Sequence, residues 1–157
     1  MSQLQLVELM QQALPDVASR LPKDSGKYSP ADIRIGIQNL VAQGEMPLAQ
    51  ALVDAGLSLH PDSEDMLAMG GLMALTQQDW GDAIVLLEQL LQTQGSQAPA
   101  MTYQMLVRAL RCNLEPARAQ RVLTQGLQAW PQDASLLSEQ DDFLGGPAVM
   151  PTPRMSN

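Results

Sequence analysis

The chain has 157 residues, with 17 Asp and Glu against nine Lys and Arg, and a formal net charge of −8. That balance argues against nucleic acid and against anionic membrane surfaces as partners. The one cysteine, Cys112, can make neither an internal disulfide nor a zinc–thiolate cluster.

The length suits one domain with a substantial core. Aromatic residues make up 3% of the chain, while Leu, Ala, Met and Gln abound, which favours helices over strands. No apolar run approaches the roughly 18–20 residues needed to cross a bilayer. The start, MSQLQLVELMQQAL, lacks the basic region and apolar block of a secretory signal. A cytoplasmic protein without membrane insertion is the expectation.

Residues 3–14 set Leu4, Leu6, Val7, Leu9, Met10, Ala13 and Leu14 on a helical stripe, ended or kinked near Pro15. This helix either covers the open face of the helix pair after it or serves as a homodimer arm. Asp16–Leu21 adds a turn or two, and Pro22–Ser29 reads as a linker closing an N-terminal segment of residues 1–29. Ser29-Pro30 starts a helix running to about Gln43, and Gly44 ends it. A second helix runs from about Pro47 to Leu59. Asp62-Ser63 caps a third, with Glu64 and Asp65 suited to its first turn. A turn at Gln78–Asp82 leads to a helix that opens on Asp82 and Ala83. Polar loop Thr93–Gln97 comes next, then helices over about Ala98–Asn113 and Glu115–Trp130. Asp133-Ala134-Ser135 caps a final, more polar helix over about 134–144. The tail 145–157 has three prolines and no periodicity, and is expected to be disordered.

Three segments repeat: Pro30–Pro61, Glu64–Gly95 and Ala100–Pro131. Ala49, Ala83 and Ala119 align at position 20 of each. Position 4 is Ile33, Leu67 and Tyr103; position 24 is Val53, Leu87 and Leu123; position 32 is Pro61, Gly95 and Pro131. Position 8 is small only at Gly71, against Ile37 and Val107, and position 27 is Gly56, Leu90 and Gly126. A helix–turn–helix unit with a period near 34 resembles the tetratricopeptide repeat (TPR) family over residues 30–131. The resemblance implies an all-α, right-handed α-solenoid of three helical hairpins, with an N-terminal helix and a C-terminal capping helix, forming a domain over 30–144.

In that family the first helices line a concave groove. Carried over, the partner-binding residues are Arg34, Gln38, Ala68, Leu72, Leu75, Met101, Gln104, Arg108 and Arg111. Ala31, Val41, Ala42, Asp65, Thr76 and Cys112 also fall at groove positions. Leu72 and Leu75 would form an apolar floor for an extended peptide or a partner helix, with Gln38 and Gln104 bonding its backbone. The carboxylate clamp of co-chaperones in this family is incomplete here, since Met69, Met101 and Met105 stand where it needs polar groups. Size and architecture resemble bacterial type III secretion chaperones of translocator subunits. The alternative is an assembly adaptor of a secretion or envelope machine, acting through oligomerisation.

No Lys or Arg lies between Ile35 and Val107, where eight acids do, and then Arg108, Arg111, Arg118 and Arg121 arrive together. They either pair with Glu115 and neighbouring acids, form a patch that binds an anion or an acidic partner, or meet the acidic middle of another copy. His60 beside Pro61 reads as a surface residue, and Cys112, without an activating base in sequence, as inert. Gly70-Gly71 is mid-helical and not a phosphate loop. The ten methionines are either core or an adaptable binding surface. Neither an enzyme activity nor a cofactor or metal is expected.

Overall fold

The computed structural model describes residues 3–13 and 28–145, and it is all-helical over them. The helices are α1 (Gln3–Ala13), α2 (Pro30–Ala42), α3 (Met46–Leu59), α4 (Glu64–Thr76), α5 (Trp80–Gln94), α6 (Ala100–Cys112), α7 (Pro116–Ala129) and α8 (Ala134–Gly145). A 3₁₀ turn at Gly95–Gln97 follows α5. The expected turn at Asp16–Leu21, most of the linker and nearly all of the tail lie outside the described residues. No described helix is long and apolar enough to cross a membrane. The chain divides into two compact units, Met1–Ala98 and Pro99–Asn157.

Helices joined by the short turns pack on each other: α2 on α3, α4 on α5, α6 on α7. Each turn has the same backbone. Gly44, Gln78 and Leu114 all take a left-handed conformation, with φ of 78°, 61° and 61°. Each occupies position 15 of its repeat. The N–H of the next residue reaches back five, Glu45 to Leu40, Asp79 to Ala74 and Glu115 to Leu110, each at 2.9 Å. This is a Schellman end, which satisfies carbonyls that the helix leaves open. Only the first turn has the glycine that a left-handed residue favours. Leu114 is 88% exposed and so gains little from burial. Leu114→Gly should therefore raise stability by about 0.5 kcal/mol: relief of left-handed strain of roughly 1 kcal/mol, less the chain entropy that glycine adds to the unfolded state. Thermal unfolding followed by circular dichroism would show a melting temperature higher by about 1–2 °C.

The joints between repeats are also copied. His60 and Trp130 have φ, ψ of −133°, 65° and −131°, 68°. Pro61 and Pro131 come next, and proline disfavours a helical conformation in the residue before it. Ser63 and Asp133 then cap the next helices, accepting from Met66 N–H at 3.4 Å and Leu136 N–H at 3.0 Å. The middle repeat has Gly95 in place of proline. There α5 stays helical through Gln94, and Gly95 ends it at φ 55°, ψ −131°, a region open to glycine. The loop expected at Thr93–Gln97 is thus helix and 3₁₀ turn. Trp80 and Gly81, expected in a turn, open α5, with Asp79 accepting from Asp82 N–H at 3.3 Å.

The repeat positions fill the core. Ala49, Ala83 and Ala119 are buried, as are Ile33, Leu67 and Tyr103, and Val53, Leu87 and Leu123. A small residue at position 27 lets the first helix of the same repeat and the next helix come close. A Cβ on Gly126 would stand 2.9 Å from Tyr103 Cβ and 3.2 Å from Leu136 Cδ1, and one on Gly56 would strike Met66 and Ile33. α4 packs on both α2 and α3, and α8 packs on both α6 and α7. α1 packs on α2 and α3, burying Leu6, Met10 and Ala13 in the same core as Ile33, Ile37 and Leu52. Of the two roles open to α1, covering α2 and α3 uses much of its apolar stripe.

Candidate functional site

The register that buries positions 4, 8 and 20 leaves positions 9, 12 and 13 of the first helices on the surface. In the first unit, α2 and α4 lie side by side, and those positions, Leu75 excepted, line a cleft of about 280 Å³. Its lining is Gln38, Val41 and Ala42 from α2, Met46 from the start of α3, and Met69, Leu72, Met73 and Thr76 from α4. Val41 is 41% and Leu72 49% exposed, so two large apolar side chains flank the one hollow. The Thr76 hydroxyl donates to Leu72 O at 2.9 Å, turning it from the cleft's use to that of its own helix. No described residue of α1 lines the cleft.

Of the sequence-derived groove residues, Gln38 and Leu72 meet here, with Val41, Ala42 and Thr76. Arg34 and Asp65 lie on the same two helices, with Nε and Oδ1 3.2 Å apart. The Nε–H is not aimed at that oxygen, and it finds no hydrogen-bond acceptor among the described residues. The contact is a surface ion pair, a class that contributes about 0–1 kcal/mol. Ala68 and Leu75 are half-buried outside the lining. Met46, Met69 and Met73 carry no groove signal in the sequence. A methionine at positions 6, 10 or 17 looks the same whether it fills a core or floors a cleft; here it does both, since Met73 is buried and Met46 and Met69 pack on the core.

Met101, Gln104, Arg108 and Arg111 belong to the second unit. Met101 and Arg108 are exposed and Gln104 is half-buried, all on α6. Arg111 is engaged within the chain. It pairs with Glu139, lies 3.7 Å from Asp142, and stacks over the Phe143 ring at 5.2 Å. By repeat position, Arg111 stands where Val41 does, Glu139 where Met69 does, Asp142 where Leu72 does and Phe143 where Met73 does. The second unit thus closes with its own ions the place that the first leaves apolar and open.

Arg118 pairs with Glu115. That hydrogen bond first, and one from Asn113 next, hold the Glu115 carboxyl below its ordinary value against a smaller opposing effect of burial. A depressed folded-state value means that the stabilisation is present above the ordinary carboxylate range and fades as pH falls through the depressed one. A carbon-detected NMR titration should show Glu115 titrating below 4.5, and Arg118→Ala should return it toward that value.

His60 is half-buried, its Nε2 3.0 Å from Tyr28 O, and so ties the residue before α2 to the joint after α3. Cys112 is exposed. No protein-family model, curated protein or solved structure matches the chain.

Proposed function

We propose that this protein is a TPR-like solenoid whose three helix pairs are copies of one repeat, and that it acts as a protein-interaction module. It takes apolar side chains of a partner peptide or helix into the cleft between α2 and α4. The observation that carries this reading is the cleft itself: Val41 and Leu72, two large apolar side chains, stand exposed around a methionine floor. Exposed apolar surface of this kind is costly to leave in water and marks docking sites. Methionine side chains adapt to the shape of what they receive. A chaperone that holds one subunit of a secretion machine would be a protein of this kind.

The test is co-expression with a candidate partner, with a photo-crosslinking amino acid placed at position 72 or, on α7, at position 124. A one-to-one complex that crosslinks from 72 and not from 124 is the expected result. It should be lost with Val41→Ser, which removes half-exposed apolar surface and leaves the core intact. Equal crosslinking from both positions would sink the reading.

A further inference from the structure

We propose that the segment that docks in this cleft is a basic amphipathic helix, with apolar anchors on the methionine floor and Lys or Arg at the C-terminal ends of α2 and α4. The proposal rests on the cleft being a docking site and adds the chemistry of the occupant.

Charge favours a basic occupant. Residues 28–98 hold nine acids and a single Lys or Arg, Arg34, which is already beside Asp65. The cleft sits at the last turns of two helices: Val41 and Ala42 end α2, and Met73 and Thr76 end α4. A helix C-terminus carries about half a negative charge and favours a cation. Neither α2 nor α4 has a basic residue in its last turn. Glu45, next to Met46, adds a full negative charge at the same end.

The chain has its own solution to this place in the other unit. α6 does have a basic residue in its last turn, Arg111, at the repeat position of Val41. It meets Glu139 and Asp142 and lies on Phe143. There a cation, two carboxylates and an aromatic ring fill the place that α2 and α4 leave open. The carboxylates stand where Met69 and Leu72 do, so in the first unit apolar side chains are received at those positions and a cation is left to the helix ends and Glu45.

The polarity of the lining sets the partner's conformation. An extended segment exposes backbone N–H and C=O groups that need partners once buried. The lining offers few: Gln38, and Thr76, whose hydroxyl is already bonded. A helix satisfies its own backbone and needs only an apolar face. The extended peptide that the family resemblance allowed is therefore the poorer fit.

Three synthetic 16-residue peptides with leucine at i, i+3, i+4 and i+7 test this. One carries Lys on its polar face, one Glu, and one is the Lys peptide with two central prolines. Binding to the full chain is read by fluorescence anisotropy at low and at physiological salt. The Lys peptide should bind at least tenfold more tightly than the other two, more weakly as salt rises, and not to a Val41→Ser/Leu72→Ser double variant that unfolds at the parent temperature. If the Glu peptide binds as tightly, the basic preference is overturned while docking stands. If the proline peptide binds as tightly, the helical conformation is overturned. Binding that survives in the double variant, or no binding by any peptide, overturns the docking reading and this proposal with it.

Discussion

Leu87→Ala should lower stability by about 2–5 kcal/mol, and Gly71→Ala, neutral to harmful in the parent, should become stabilising in that background. Leu87 is fully buried at position 24 of its repeat, on α5, and Gly71 faces it from position 8, on α4. A Cβ at Gly71 would stand 2.7 Å from Leu87 Cδ2 and 2.9 Å from Leu87 Cγ. Rotation about χ2 moves the Cδ carbons but not Cγ, so clearing the contact needs a new χ1 in a packed core. Overpacking of this sort costs about 1–3 kcal/mol. Alanine in a helix gains about 1 kcal/mol over glycine. The two oppose in the parent, where the clash wins or balances. With Leu87 shortened to alanine the clash is gone and the propensity remains. A double-mutant cycle by urea unfolding should give a coupling of about 1–3 kcal/mol. A coupling near zero would mean that α4 and α5 do not approach at these two residues.

Leu136→Ala should cost about 2–4 kcal/mol, with its effect concentrated in α8. Leu136 is the buried residue of α8 and sits against Gly126 of α7. It stands at position 3 after its joint, as Met66 does in α4. The rest of α8 is held by polar contacts, the Arg111 pair with Glu139 and its stacking on Phe143. Such contacts contribute about 1 kcal/mol each at an exposed site. Loss of Leu136 should therefore free α8 before α6 and α7 separate. Hydrogen exchange should speed up across 134–145 and much less in 100–129. Uniform acceleration over both stretches would show that α8 is not a separable element.

Most helices and several of their ends are readable because their signals are local, although both ends of α5 are not. Ser29-Pro30 predicts a cap, and Ser29 and Asp32 form a reciprocal capping box. Gly44 predicts a helix end and provides it. Gln78 and Leu114 carry no such signal, yet the same backbone is imposed on them by the packing on either side. The repeat register placed Gln38 and Leu72 on a common face. It could not show that Arg111 is spent on Glu139 and Asp142, because that depends on what α8 brings to the same register. Nor could it distinguish Met69 and Met73 as cleft floor. Their periodicity fits core and surface alike, and only the neighbouring helix decides.

The docking of α1 has a kinetic meaning. Within each helix pair, partners lie a turn apart in sequence and meet at little entropic cost. α1 is separated from α2 by 16 residues, and it packs on α3 beyond it. Contacts across so long a span form late and are the first to open. Nucleation should begin inside the helix pairs, with α1 arriving as the closing step. In the native protein the amides of α1 should then exchange sooner than those of α2, through an opening that briefly bares Ile33, Ile37 and Leu52.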